Sequence, residues 1–198
     1  MKSCLAGLIN GGEDMNQRII PACDGMKSFE KFLESPYEVG IILEIHISMV
    51  KYIMRMARQY NKKIMFHMDL INGIHNNEYG TEYICQEFKP YGLISTKGSV
   101  IQKAKQNGVL AIQRMFLIDS HGLKKTMALI QKVDPDYVEV LPGIVPRIIR
   151  ELKEKIDIPL FAGGLIRSPQ DVEEALRAGA AAITTSDKDL WKYYENIL

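Results

Sequence analysis

Cysteine is scarce in this chain, and the three present stand far apart, at Cys4, Cys23 and Cys85, with no CxxC pair. An odd, dispersed set builds no disulfide framework and offers no paired thiolates for a structural zinc, so a reducing, cytoplasmic setting is expected. Long apolar runs are also missing. No stretch approaches the roughly 18 residues of a membrane span, and the apolar patch from Leu5 to Ile9 breaks at Asn10-Gly11-Gly12, too early for the core of a signal peptide. Charge of one sign is absent as well: Lys and Arg number 25, Asp and Glu 24, and the formal net charge is +1. Composition therefore carries no electrostatic footprint of a nucleic-acid binder. Finally, no GxGxxG follows the first apolar run, which weakens an open, doubly wound dinucleotide-binding sheet as the architecture.

What is present is alternation. A chain of 198 residues suits one well-buried domain. From Arg18 onward, short β-branched runs alternate with amphipathic segments. The expected strands are Ile19–Cys23, Val39–His46, Lys63–Asp69, Gly92–Lys97, Leu110–Ile118, Tyr137–Gly143, Leu160–Gly164 and Ala182–Ser186. Most are apolar on both faces, as strands of a covered parallel sheet must be. Helix punctuation lies between them. Ser48 is placed to cap Met49–Tyr60, with Asn61 as the stop, and Ser120 to cap a helix ending before Asp134-Pro135. Pro146 suits a first helical turn, Ser168-Pro169-Gln170-Asp171 is a capping box closed later by Gly179, and Ser186-Asp187-Lys188-Asp189 repeats the pattern. Eight strand–helix units of about 25 residues each make a compact, single-domain TIM-like (β/α)8 barrel, an α/β fold, over residues 17–198. Residues 1–16 are expected to be a flexible N-terminal leader, with Met15 as an alternative start.

In such a barrel, function gathers at the C-terminal ends of the strands. Gly163 and Gly164, with Thr185 and Ser186 one helix later, end two successive strands with small or hydroxylic residues. Paired strand-to-helix corners of this kind form a cup of backbone N–H groups that holds a phosphate. The competing account is a tight turn at the glycines and a simple cap at Ser186. Lys97 and Arg114 are the cations best placed to assist, and Lys97 is also the candidate Schiff-base lysine of a phosphosugar enzyme, with Asp69 or Glu139 as its base. Arg114 is equally readable as one half of a buried ion pair with Glu139 or Asp69. Glu44-x-His46 and His67-x-Asp69 hint at a metal site, but no third histidine or cysteine supports it, and no metal is expected. Helical Lys51, Arg55, Arg58, Lys103, Lys105, Lys124 and Lys125 read as a solvated outer face.

An ordered series of segments then carries a family resemblance: Ile19-Ile20-Pro21-Ala22, His67-Met68-Asp69-Leu70-Ile71, Tyr79 to Glu87, Gly92 to Lys97, Gln113 to Asp119, Glu139 to Pro146, Phe161 to Ile166 and Thr184-Thr185-Ser186. From Gln17 to the end the chain closely resembles the glycerol-3-phosphate-responsive antiterminators of the glycerol uptake operon, the GlpP family. The resemblance implies a regulator with no catalytic activity and no cofactor. Its effector would be glycerol 3-phosphate, and the liganded form would associate with the leader mRNA of glycerol-catabolism genes and let transcription pass a terminator. Carried onto this sequence, Gly163, Gly164, Thr185 and Ser186 would hold the phosphate, with Lys97, Arg114, Asp69 and Glu139 as candidates for the remaining charge and the glycerol hydroxyls, roles that rest on their position at the barrel mouth. The alternative is a phosphosugar isomerase, aldolase or phosphodiesterase on the same barrel. A near-neutral protein that binds RNA is further expected to gather its patches by assembling as a homo-oligomer.

Overall fold

The computed structural model describes residues 17–117 and 119–195; the expected leader, and Ile118 at the end of its expected strand, lie outside these. Eight parallel strands close a barrel: β1 (Ile19–Cys23), β2 (Val39–Ile42), β3 (Lys63–His67), β4 (Gly92–Ser95), β5 (Leu110–Phe116), β6 (Tyr137–Leu141), β7 (Leu160–Gly163) and β8 (Ala182–Thr185). Each pairs with the next in sequence, and β1 meets β8 through Ile19↔Ile183 and Ile20↔Thr184 to complete the ring. The helices are α1 (Met26–Glu34), α2 (Ile47–Gln59), α3 (Glu78–Tyr83, continued by a π-helical turn over Ile84–Phe88), α4 (Gly98–Gln106), α5 (Ser120–Val133), α6 (Pro146–Lys153), α7 (Pro169–Arg177) and α8 (Lys188–Glu195). This is the TIM-like barrel that the alternation pattern dictates.

Period-two alternation sorts each strand into two cores. Ile20, Ala22, Ile41, Met65, Ile94, Ile112 and Phe161 pack inside the barrel, where Tyr137 stacks on Phe161 at 4.5 Å between ring centroids. Their neighbours Ile19, Ile42, Phe66, Leu93, Val138 and Ile183 face outward and pack with the helices. Buried Gln17 closes the lower end. Its side-chain nitrogen donates to the carbonyls of Ile19 and Val39, and its oxygen accepts from the N–H of Glu38 and Val39.

Several strands stop short of their expected ends. The run Val39–His46 is two elements: β2 ends at Ile42, and Ile45–His46 then pairs with Ile71–Asn72 in a separate parallel ladder. The run Lys63–Asp69 leaves the barrel at His67 and tightens into a 3₁₀ turn over Met68–Leu70. Apolar β-branched residues continue past the point where the ring of neighbours ends, so hydrophobicity alone overshoots the ladder.

Helix ends follow the expected chemistry with shifted residues. The capping box at Ser168 forms: the Asp171 N–H donates to Ser168 Oγ and the Ser168 N–H to Asp171 Oδ2. Elsewhere a neighbour replaces the expected serine. His46 Nδ1 accepts from the Ser48 N–H at α2, Asp119 from the Gly122 N–H at α5, and Asp187 from the N–H of Asp189 and Leu190 at α8. At α5 and α8 the cap is a carboxylate, Asp119 or Asp187, which gains from the helix dipole as well as the hydrogen bond. Asn61, Asp134 and Gly179 end α2, α5 and α7 in the left-handed region. We expect Ser168→Ala to cost about 1 kcal/mol of stability, read as a lower midpoint in urea unfolding.

Candidate functional site

A cavity of about 410 Å³ opens at the C-terminal mouth of the barrel. Its walls divide by chemistry. Ala22, Ile41, Leu43, Leu141 and Ile166 form an apolar side, whereas Arg114, Glu139, Thr184, Gly164, Arg167, Thr185, Ser186 and Asp187 supply the polar one. At its base lies a buried network. Arg114 Nε donates to Glu139 Oε2 at 2.6 Å, and Thr184 Oγ1 donates to Glu139 Oε1 at 2.7 Å. Glu139 is 1% exposed and the Arg114 side chain 11%. Of the pairings open to Arg114, the one with Glu139 forms. Both carboxylate oxygens are thus engaged, whereas the terminal guanidinium nitrogens of Arg114 have no hydrogen-bond partner among the described residues.

The glycine pair serves two purposes. A Cβ on Gly163 would run into Thr184 Oγ1 and lie 3.3 Å from Glu139 Oε1, so glycine there makes room for the buried network behind the cavity. Gly164 lines the cavity itself at φ 74, and Leu165 follows at φ 62, so the chain reverses and brings Arg167 to the rim. Thr185 is buried, and its hydroxyl accepts from the Asp187 N–H at 3.1 Å, which shapes the turn into α8. Ser186 is exposed at the rim, and its hydroxyl has no partner among the described residues.

The remaining candidates sit elsewhere. Asp69 accepts from Ser95 Oγ, from Asn76 Nδ2 at 2.8 Å, and from both the N–H and the hydroxyl of Thr96 at 2.8 Å. Burial alone would raise its carboxyl; the bonds from Ser95, Thr96 and Asn76 outweigh it and leave the group below the usual range. It ties the end of β4 to the loop after β3. Lys97 is exposed, lies outside the lining of this cavity, and donates to the Asn76 carbonyl at 2.8 Å. Glu44, His46, His67 and Asp69 do not converge: Glu44 accepts from Asn72, His46 meets Ser48, and His67 is buried. Among the described residues no three His, Cys, Asp or Glu side chains gather as a metal site.

Three residues of the site escape a reading of strand ends alone. Thr184 shares the inward face with Glu139 and Gly163, a parity legible once the register is known. Arg167 lies three residues beyond Gly164, past the end of the strand. Asp187 shows in the sequence only as part of a capping pattern.

A sequence model described as "Glycerol-3-phosphate responsive antiterminator" matches residues 19–191. The chain belongs to that family. A solved structure of the glycerol uptake operon antiterminator regulatory protein from Listeria monocytogenes str. 4b F2365 is 45% identical. It superposes with a TM-score of 0.88 over 89% of this chain and 96% of the other. A glycerol uptake operon antiterminator-related protein from Thermotoga maritima is 28% identical, with a TM-score of 0.79 over 89% and 98% of the two chains. Protein YgcP of Escherichia coli (strain K12), uncharacterized, is 30% identical over 91% of this chain and 94% of its own length. The family is one of antitermination regulators, which matches the resemblance in the strand-end segments. Among the described residues no helix is long and apolar enough to cross a membrane.

Two outcomes follow from the buried groups of this family member. Glu139→Ala leaves the partly buried Arg114 guanidinium and the Thr184 hydroxyl without their partner, and we expect a loss of about 1–3 kcal/mol in chemical unfolding. His67 is 2% exposed with both ring nitrogens unpartnered, and burial, reinforced by Arg114, pushes it down to about 4. Its folded value lies below the unfolded one of about 6.5, so the unfolded chain takes up the proton first. Stability should therefore be full above pH 6.5 and fall by roughly 3 kcal/mol as the pH drops toward 4. Unfolding midpoints of His67→Gln should show a shallower pH dependence across that window.

Proposed function

We propose that the mouth cavity takes glycerol 3-phosphate, and that the liganded protein associates with the leader mRNA of glycerol-catabolism genes to cause transcription antitermination. The observation that carries this reading is Arg114, held by Glu139 in the wall of a cavity that opens at the ends of β7 and β8. A phosphate there would meet the terminal nitrogens of Arg114, the Arg167 side chain and the corner after Gly164. Ser186 would serve a glycerol hydroxyl, and Leu43, Leu141 and Ile166 would cover the carbon chain. A binder is favoured over a phosphosugar enzyme because the available acids are already committed. Glu139 and Asp69 spend their oxygens on internal hydrogen bonds, and Lys97 stands away from the cavity. For RNA affinity to respond, the ligand must favour the RNA-competent state over the other.

Saturating glycerol 3-phosphate should stabilise the fold by about 2.7 kcal/mol at one hundred times its Kd, visible as a melting point raised by several degrees. Arg167→Ala combined with Ser186→Ala, both at the exposed rim, should remove most of that shift while leaving the unliganded melting point in place. An unmoved melting curve of the unmodified protein would remove the sensor reading. Gel shifts on leader RNA test the second half: equal affinity with and without ligand would rule out the switch.

A further inference from the structure

We propose that the outer face of α2, with the groove between it and the π-helical turn Ile84–Phe88, is the surface that grips single-stranded RNA. The proposal rests on the reading that the protein associates with leader mRNA and names the side of the barrel that does so. Helix α2 carries Lys51, Arg55 and Arg58 and no acidic residue in its thirteen positions. The spacings of four and three put these cations on one exposed stripe about 10 Å long. Several other cations on or beside the helices are neutralised. Lys103 pairs with Glu82, Lys105 with Asp134 and Asp136, Lys155 with Glu151, and Lys188 with Asp24. Lys51, Arg55 and Arg58 have no ion-pair partner among the described residues.

Aromatic surface is interleaved with this charge. The Arg55 guanidinium lies 5.4 Å from the centre of the Tyr52 ring, and Tyr52 is 37% exposed. Beside them runs a groove of about 500 Å³ with Phe88 on its far wall. Arg58 Nη2 reaches across to the Phe88 carbonyl at 3.2 Å, and Phe88 in turn packs edge-on against Tyr83. Tyr60, just past the end of α2, and Tyr79 and Tyr83 on α3 are also exposed. The acids nearby, Glu78 and Glu87, belong to the α3 segment, and Glu87 borders the groove.

This combination selects its occupant. Phosphates need cations at intervals along a track, and unpaired bases need flat rings on which to stack. Acids elsewhere in the chain balance this stripe to a net charge of +1, which is why total charge conceals the site. A second copy of this chain is a poor fit. An isologous contact through the stripe would set Lys51, Arg55 and Arg58 against their own equivalents, like charge on like.

The test titrates in-vitro-transcribed leader RNA of a glycerol-catabolism operon against the full chain with glycerol 3-phosphate, at several potassium chloride concentrations. Lys51→Gln with Arg55→Gln should weaken binding at least tenfold. It should also flatten the slope of log K against log salt by about 1.4, roughly 0.7 for each lost phosphate contact. Adding Arg58→Gln should flatten the slope further, to about 2 in total; the double variant keeps the Arg58 contact to Phe88 in case the triple one folds poorly. Tyr52→Ala should weaken binding roughly tenfold without changing the slope. Lys124→Gln with Lys125→Gln, on α5, should change neither. All variants should keep the melting shift caused by glycerol 3-phosphate, which certifies the fold and the cavity independently. If the unmodified protein binds RNA and the α2 variants bind it equally with an unchanged slope, the proposal is wrong and the RNA reading stands. The proposal is equally wrong if the α5 control loses as much, or if the α2 variants alter only sedimentation, which would make the face a contact between copies. If the unmodified protein binds no RNA at all, the reading beneath the proposal fails and the proposal with it.

Discussion

The carboxylate of Glu139 organises the mouth of this barrel. It sits on β6, takes a charge-assisted bond from Arg114 on β5 and a hydroxyl bond from Thr184 on β8, and the Thr184 hydroxyl it holds leaves no room for a side chain at Gly163 on β7. Four consecutive strands are thus locked in register around one buried anion. A buried pair of this kind contributes little to net stability compared with an apolar replacement, and removing either partner is costly. Its value lies in position: a guanidinium held from behind presents its remaining donors to the cavity in one orientation.

That arrangement explains how a fold common among enzymes can serve a regulator. Catalysis at a barrel mouth needs an acid, base or nucleophile with freedom to exchange protons. Here the inward carboxylate is fully satisfied, the buried histidine is held neutral by desolvation, and the strand-end lysine turns aside to a loop carbonyl. These groups are committed to internal contacts that shape the mouth. Its wall also runs directly into an outer helix. Leu43 lines the cavity, Ile45–His46 pairs with Ile71–Asn72, and His46 caps α2.

Much of this was legible in the residues. The eight apolar runs located all eight strands, because a covered parallel strand must be apolar on both faces and few other elements are. Ser168-Pro169-Gln170-Asp171 announced its helix because a capping box is a local device. Local signals failed where two donors or acceptors compete. Ser48, Ser120 and Ser186 are reasonable caps, but His46, Asp119 and Asp187 take the role. Strand ends were overrun for a related reason: nothing in Val39–His46 or Lys63–Asp69 marks where the neighbouring strand stops.

The sequence by itself determined the barrel and the family, since alternation and ordered motifs are properties of neighbouring residues. The tertiary structure alone decided which polar residues act together. Arg114, Glu139 and Thr184 are separated by 25 and 45 positions, and only barrel register brings them within hydrogen-bond reach. The same holds for Asp69, which looks like a ligand contact until Ser95, Asn76 and Thr96 close around it. It holds too for the cations of α2, which differ from those of α4 only in the partners that packing sets beside them. Hydrogen bonds and ion pairs depend on distance in space, and the chain order carries that distance only through the fold.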